Sequence, residues 1–469
     1  MPERTSAIRQ SGIDKAGKPA LLRQIGIVSA TALVISNMVG TGIFTTTGFL
    51  AGDLGDPKVV LFIWVVGAMI ALAGAFCYSE LGINFPSSGC EYVYLTRAYG
   101  PTWGFMTGWV SLFAGFSAPI AATSLAFSDY LGYFFPALRQ DQTLVTIGSG
   151  AFSIRLGGAQ AAACCLIAVL TLLNFIGVRR VARVQNLLTA TKVGVLLAFI
   201  GLAFLSGTGN WDHFSQPAQR TSTLPLAGQF AISLFWIYVC YSGWNAATYV
   251  AEELKKPERT LPIALTLGTA LVALFYVLLN VVFIYALPLE QMKGVVAIGS
   301  LTATHLFGPE TAGIFSALMA LSLVATVNAE VTIGPRVYYA MAQNGAFFKW
   351  AAHVHPRWHT PVYAILCQGV CSVLMCLTPF PALMVYIGFT LTFFAVLSVS
   401  SLFFFRRRPE WQKLRVVSFA FPLIPVAFIL VGGWTIIYGV MLAPKVSVAG
   451  IITIAAGAVI YHFRRSRRA

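Results

Sequence analysis

Charged side chains are what this sequence has least of. They make up 10% of its 469 residues, where a soluble domain carries roughly 25%, so water cannot be the solvent over most of the chain. Acid is scarcer still: 16 Asp and Glu stand against 31 Lys and Arg, a formal net charge of +15. That excess does not make a nucleic-acid binder, because the basic residues sit in short loops between apolar runs and no aromatic-basic module accompanies them. The first 24 residues lack the apolar centre of a signal peptide. With Arg4, Arg9, Lys15, Lys18 and Arg23 they read as a polar cytoplasmic tail, 1–24.

Enzyme and metal signatures are missing as well. There is no Gly-rich loop ending in Lys-Ser/Thr, which excludes ATP-driven pumping. No Ser-His-Asp or His-Glu-x-x-His arrangement falls on a helix, so the chain does not read as an enzyme, and no cofactor is expected. The eight cysteines show no metal-site spacing with a matching His pair, and seven of them lie in apolar stretches as small packing residues. His353, His355 and His359 crowd one loop, but no Cys or carboxylate completes a zinc site there.

What is present is apolar length. Hydrophobic residues make up 57% of the chain. Twelve segments reach the roughly 20 residues that a spanning helix needs: 25–51, 58–84, 99–134, 157–177, 182–206, 227–251, 260–287, 308–342, 361–379, 381–405, 417–441 and 447–463. The longest gaps, 134–156 and 207–226, are polar loops too short for a separate domain. The expected fold class is an all-α polytopic membrane protein with twelve transmembrane helices. With the N-terminus inside, 24 of the 31 basic side chains face the cytoplasm and 6 the outside. That bias puts both termini in the cytoplasm of an inner or plasma membrane. One basic residue, Lys192, is left inside the fifth span.

Two spans are interrupted. The first carries Gly40-Thr41-Gly42 and the sixth Tyr241-Ser242-Gly243, each in mid-span. A glycine in a helix costs about 1 kcal/mol relative to alanine. Unwound backbone at that depth survives only where it is buried or lines a cavity. Breaks at matching places in two halves of a chain point to a midplane binding site between inverted repeats. The alternative is close helix packing through small residues.

Four stretches carry a family likeness. They are Met38-Val39-Gly40-Thr41-Gly42-Ile43-Phe44; Tyr78-Ser79-Glu80-Leu81 with Pro86-Ser87-Ser88-Gly89, Tyr92-Val93-Tyr94 and Tyr99-Gly100-Pro101; Tyr241-Ser242-Gly243-Trp244-Asn245 with Glu252-Glu253, Pro257-Glu258-Arg259 and Pro262-Ile263-Ala264; and Arg336 through Tyr339-Ala340-Met341-Ala342, Asn344-Gly345, His355-Pro356-Arg357 and Thr360-Pro361. In this order they resemble the amino acid–polyamine–organocation superfamily, and within it the bacterial relatives of L-type amino acid transporters. The resemblance implies the leucine-transporter fold. That fold has one five-helix repeat at 25–206, an inverted repeat at 227–405, two extra helices at 417–463, and helices one and six broken. A basic tail, 464–469, follows.

An amino acid is a zwitterion, and a helix break can serve both its charges. The half-helix starting near Thr41 offers free amides and the positive end of a dipole to the carboxylate. Thr41, Gly42 and Ile43 are the candidate amides, with Gly40 and Gly243 letting the substrate approach the backbone. By similarity to the family, the carbonyls of Met38, Val239 and Ser242 accept from the ammonium. Asn245, in the Trp-Asn pair that L-type relatives share, is assigned to the pocket wall or to holding the unwound segment. Many relatives carry a bulky aromatic where Val239 stands. Here Tyr238 and Tyr241 face other ways on a regular helix, so either one takes over across distorted backbone or the pocket is roomier.

Two charges lie at membrane depth. Lys192 is about ten residues from its helix end, ~15 Å deep, where a charge costs roughly 2.5–3.5 kcal/mol. The resemblance reads it as the helix-five lysine that stands, in many sodium-independent members, where sodium-coupled members hold the ion. Glu330, in the eighth span, has three readings: a counter-ion for Lys192, a contact for a cationic substrate, or a proton carrier. Arg336, Glu80, Arg97, Glu252, Glu253 and Arg259 stand at cytoplasmic helix ends as candidate gate ion pairs. The expected function is sodium-independent secondary transport of L-amino acids, by exchange or with protons. The alternatives are polyamine or amine transport on the same fold, and amino-acid sensing without flux. Some L-type relatives are disulfide-linked to a heavy subunit through a loop after helix three. The 134–156 loop has no cysteine, so no such partner is expected.

Overall fold

The computed structural model describes residues 22–40, 42–148, 153–176, 178–295, 298–442 and 444–466. Its apolar runs are helical, because lipid leaves backbone amides and carbonyls no partners but each other. The chain enters as α1 (Ile27–Met38), bends at Val39 and Gly40, and resumes as α2 (Gly42–Leu54). Next comes α3 (Pro57–Asn84). Its start is fixed by Asp56, whose side chain accepts from the amides of Lys58 at 2.7 Å and Val59 at 3.2 Å, with Pro57 in the first turn where no amide is needed. Then follow α4 (Glu91–Tyr99), α5 (Pro101–Val110), α6 (Ala118–Leu131), α7 (Gly158–Leu173), α8 (Val178–Ser206) and α9 (Leu226–Tyr241). Between α5 and α6, Ser111–Ser117 is a π-helical turn. Pro119 explains it: its nitrogen cannot donate to the carbonyl of Gly115, so the ladder widens there.

A 3₁₀ turn, Ala246–Glu253, continues from α9. After it come α10 (Pro257–Ala286), α11 (Ile298–Phe307), α12 (Pro309–Ile333), α13 (Pro335–Gln343), α14 (Val362–Met375), α15 (Phe380–Ser400), α16 (Leu423–Leu442) and α17 (Pro444–Ser466). Among the described residues, nine helices are long and apolar enough to cross a membrane, so the chain is a multi-pass, all-helical membrane protein. The 134–156 loop, expected only as a polar connection, carries a small antiparallel pair, β1 (Thr143–Ile147) with β2 (Ile154–Gly157).

At the centre, α1 packs against α8, α10 and α12, while α2 packs against α9. Leu33, Val34, Ile35 and Met38 of α1 are buried in that centre. On the periphery, α16 and α17 pack on α15 and turn Leu430, Ile437, Ile452 and Phe463 outward, as lipid contact requires.

One polar knot closes the bundle end that the charge bias assigns to the cytoplasm. The fully buried carboxylate of Glu80 accepts from Arg406 Nε at 2.7 Å and Nη2 at 2.6 Å, from the Trp411 indole at 2.7 Å and from the Leu414 amide at 3.0 Å. Glu80→Gln leaves a buried guanidinium without its counter-charge, a loss of about 3–5 kcal/mol. A clear fall in the melting temperature of the detergent-purified variant is the expected result; an unchanged melting curve contradicts it.

Candidate functional site

The two interruptions lie against each other. A Cβ on Gly42 would stand 2.6 Å from the Cys240 sulfur and 3.1 Å from its Cα, so the start of α2 fits against the end of α9 only because residue 42 has no side chain. At the second interruption α9 stops at Tyr241, Ser242 is extended, and Gly243 adopts φ +93°. Asn37, near the end of α1, packs on Gly243 and reaches its carbonyl at 3.5 Å.

The freed carbonyls find partners inside the protein. Val239 accepts from the amide of Ser242 at 3.0 Å and from its hydroxyl at 2.7 Å. The Tyr276 hydroxyl, from α10, points at the carbonyls of Met38 (2.6 Å) and Cys240 (3.2 Å), so one phenol serves both interruptions. Nothing local in the sequence signals that role; the contacts span 238 and 36 residues. Thr41 lies outside the described residues, and Ile43 is fully buried one residue into α2.

Lys192 is buried at the meeting of three helices. Its ammonium donates to the carbonyls of Val39 (2.7 Å) and Ser36 (3.3 Å) and to the Thr326 hydroxyl (2.7 Å), which donates in turn to Val39 at 2.7 Å. Thus α8 and α12 jointly hold the frayed end of α1. The ion pairs found among the described residues within 4.0 Å do not join Lys192 to Glu330. Glu330 stands one helical turn beyond Thr326, about 6 Å along the axis.

Beside the second interruption is a cavity of about 60 Å³, room for a few water molecules. Ser242, Gly243, Asn245, Glu330, Asn37 and Glu91 give it polar walls; Phe116, Tyr238, Trp244 and Tyr249 give it aromatic ones. Of the residues singled out from sequence, Ser242, Gly243, Asn245 and Glu330 line this cavity, whereas Met38, Gly40, Gly42, Ile43, Val239 and Lys192 are not among its lining residues. Tyr238 takes up the aromatic wall, while Tyr241 turns away and donates to the Trp64 carbonyl at 3.0 Å.

Glu91 was missed from sequence. One of its oxygens accepts from Asn245 at 2.7 Å and from the Tyr78 hydroxyl at 3.0 Å. The available signal was scarcity: with 16 acids in 469 residues, any carboxylate flanked by buried apolar positions is a candidate.

Below the cavity, buried Arg336 and Glu253 pair at 2.8 Å. Glu252 receives the Ser87 hydroxyl at 3.1 Å and the Ser88 amide at 3.4 Å. The segment before α1 joins the same layer through Ile25, whose amide donates to the Glu253 carbonyl at 3.0 Å. Of the candidate gate groups, Glu253 with Arg336 and Glu80 with Arg406 form ion pairs.

Residues 25–461 match the family model described as "Amino acid permease". The serine/threonine exchanger SteT of Bacillus subtilis is 29% identical over 465 residues, covering 96% of this chain and 98% of that protein. The Asc-type amino acid transporter 1 of Mus musculus is 28% identical over 452 residues, covering 94% of this chain and 81% of the other. The large neutral amino acids transporter small subunit 2 of Homo sapiens is 28% identical over 454 residues, with 95% and 81% covered.

Proposed function

The chain belongs to the amino acid permease family, and we propose that it is a secondary transporter carrying L-amino acids across an inner or plasma membrane by alternating access. The relatives named above as amino acid transporters and exchangers support this reading. The observation that carries it is the juxtaposition of the two interruptions, with Tyr276 across both carbonyl ends and a polar cavity at Ser242 and Gly243.

In the full reading the shorter apolar helices α7, α9 and α14 also cross, making twelve spans. These fall into an inverted pair of five-helix repeats, 25–206 and 227–405, and two further helices, with both termini cytoplasmic. The amides of Thr41, Gly42 and Ile43 hold the substrate carboxylate. The carbonyls of Met38, Val239 and Ser242 take the ammonium when the pocket opens; those of Met38 and Val239 each accept two internal hydrogen bonds and must release one to do so. A cavity of about 60 Å³ is too small for an amino acid, so opening is part of the cycle.

Transport without sodium rests on Lys192. Its ammonium joins α1, α8 and α12, and by the family resemblance that junction is where a sodium-coupled member holds its ion. A cation already bonded there repels a second. Energy then comes from exchange or from protons.

The test is uptake into proteoliposomes with a panel of labelled amino acids, with and without internal amino acid, sodium and a pH gradient. Uptake should depend on internal substrate or on the proton gradient, and should be indifferent to replacing sodium with choline. Substrate-induced thermal stabilisation without flux would make the protein a sensor. Sodium-dependent flux would end the coupling assignment.

A further inference from the structure

Of everything in the cavity, the charge balance is least expected for a neutral substrate. Two carboxylates line it, Glu91 and Glu330, 7% and 6% exposed, and among the described residues no Lys or Arg does. Lys192, the cation at membrane depth in α8, donates to Ser36, Val39 and Thr326. Glu91 is partly satisfied, because Asn245 and Tyr78 both donate to its Oε1. Glu330 is not: its Oε2 is buried without a hydrogen-bond partner. Buried polar side-chain atoms in native proteins are nearly always partnered, and an unpartnered carboxylate oxygen is among the costliest to leave so. No donor among the described residues reaches that oxygen.

The remaining walls say what kind of donor fits. Phe116, Tyr238, Trp244 and Tyr249 surround the same space. Aromatic faces attract a cation through their quadrupole, most strongly where water is excluded. Carboxylate oxygens with aromatic faces and no basic side chain in the described lining make an environment for an ammonium or guanidinium, and a poor one for an aliphatic side chain.

We propose that Glu330, with Glu91 as a second negative charge, selects amino acids with a cationic side chain, whose ammonium or guanidinium donates to the Glu330 carboxylate. This rests on the transport reading above and specifies its substrate class. The amino acid's own charges stay at the helix interruptions, and the side chain reaches across the cavity toward α12. The position of Glu330 supports this. The residue is one turn from Thr326, so its carboxylate faces the cavity while the preceding turn faces Lys192. Its main chain is fixed as well, the carbonyl accepting from Gln368 Nε2 at 3.2 Å.

Competition in proteoliposomes tests this without any variant. Unlabelled lysine, arginine and ornithine should each displace the best labelled substrate at concentrations at least ~10-fold below serine or leucine, ~10-fold being the factor equivalent to about 1.4 kcal/mol. Putrescine separates the two sources of the same cation: it carries the ammonium but no carboxylate for the interruption, and should compete far more weakly than ornithine. Putrescine equal to ornithine would move the substrate class to amines and overturn the amino-acid half of the proposal. Flux of serine or leucine with no competition from lysine or arginine overturns the proposal while leaving amino acid transport intact. No flux or binding of any amino acid sinks the parent reading instead.

Glu330→Gln keeps the shape and removes the charge. The ratio of the KM for lysine to the KM for serine should rise at least ~10-fold, and Glu330→Asp should recover part of it. An unchanged ratio in Glu330→Gln, whatever happens to the maximal rate, assigns Glu330 to structure or proton movement and overturns the specificity role. Should Glu330→Gln fail to fold, Glu330→Asp and the wild-type competition series still decide.

Discussion

Lys192→Ala is expected to lower transport at least about tenfold, since each hydrogen bond lost from a charged donor is worth about 1.5–3 kcal/mol. The variant removes the ammonium's hold on the carbonyls of Val39 and Ser36 and on Thr326. Thr326 alone still reaches Val39, and nothing else described donates to the second lone pair at that bend. The Ser36–Thr189 hydroxyl contact at 2.6 Å still ties α1 to α8, but the bend at Val39 loses its charged donor, and the candidate amides of Gly42 and Ile43 lose their fixed position. Folding should suffer less than function. A lysine at membrane depth carries a desolvation cost that alanine does not, and this offsets part of the lost bonding. Lys192→Met, similar in volume, separates charge from the cavity that alanine leaves behind. Both variants should elute as monodisperse protein and melt near the parent, with flux and substrate-induced stabilisation reduced together. Full flux in either would remove Lys192 from the working parts.

The features legible in the sequence were those that lipid makes expensive. A charge or a glycine pair inside an apolar run has few tolerable explanations, and so Lys192, Glu330, Gly42 and Gly243 stood out without any structure. The apolar runs gave the helical class for the same reason. The interruptions read at residues 40–42 and 241–243 lie beside helix ends at Met38 and Tyr241. What stayed hidden depended on distance along the chain or on weak local signals. Tyr276 is an ordinary tyrosine in a long apolar helix until its hydroxyl meets Met38, 238 residues away. Glu91 follows Pro86-Ser87-Ser88-Gly89 and looks like loop polarity, yet its side chain is buried against Asn245. The strands β1 and β2, five and four residues long, are mostly exposed. Their alternation is too brief to separate from a polar loop.

Tyr238 marks the limit of periodicity. On a regular helix it faces away from Val239's side, as expected from sequence. The cavity, however, lies where α9 has stopped being regular, and there Tyr238 supplies the wall. Helical-wheel reasoning fails within a turn of a helix end, which is where a transporter's site is built. Carbonyl satisfaction is the better guide at such places. Val39, Met38, Val239 and Cys240 each required a donor, and following those donors led to Lys192, Thr326, Tyr276 and Ser242.

Gly243→Ala should abolish substrate binding. Residue 243 sits at φ +93°, where an L side chain is strained by about 1–3 kcal/mol. The new methyl also meets α1: Asn37 O would be 2.9 Å and Asn37 C 3.0 Å from it, with the Asn37 amide nitrogen closer still. Backbone atoms cannot swing aside, so the second interruption must move away from the first. Gly201→Ala is the matched control, a helical glycine with open space around it, where alanine should be neutral or stabilise slightly. Adding Asn37→Ala to Gly243→Ala removes the side-chain clash but neither the main-chain contact nor the φ strain, so rescue should be partial at most. Binding measured as substrate-induced thermal stabilisation should be lost in Gly243→Ala and kept in Gly201→Ala. Binding retained at the parental affinity in Gly243→Ala would mean that the two interruptions do not act as one site.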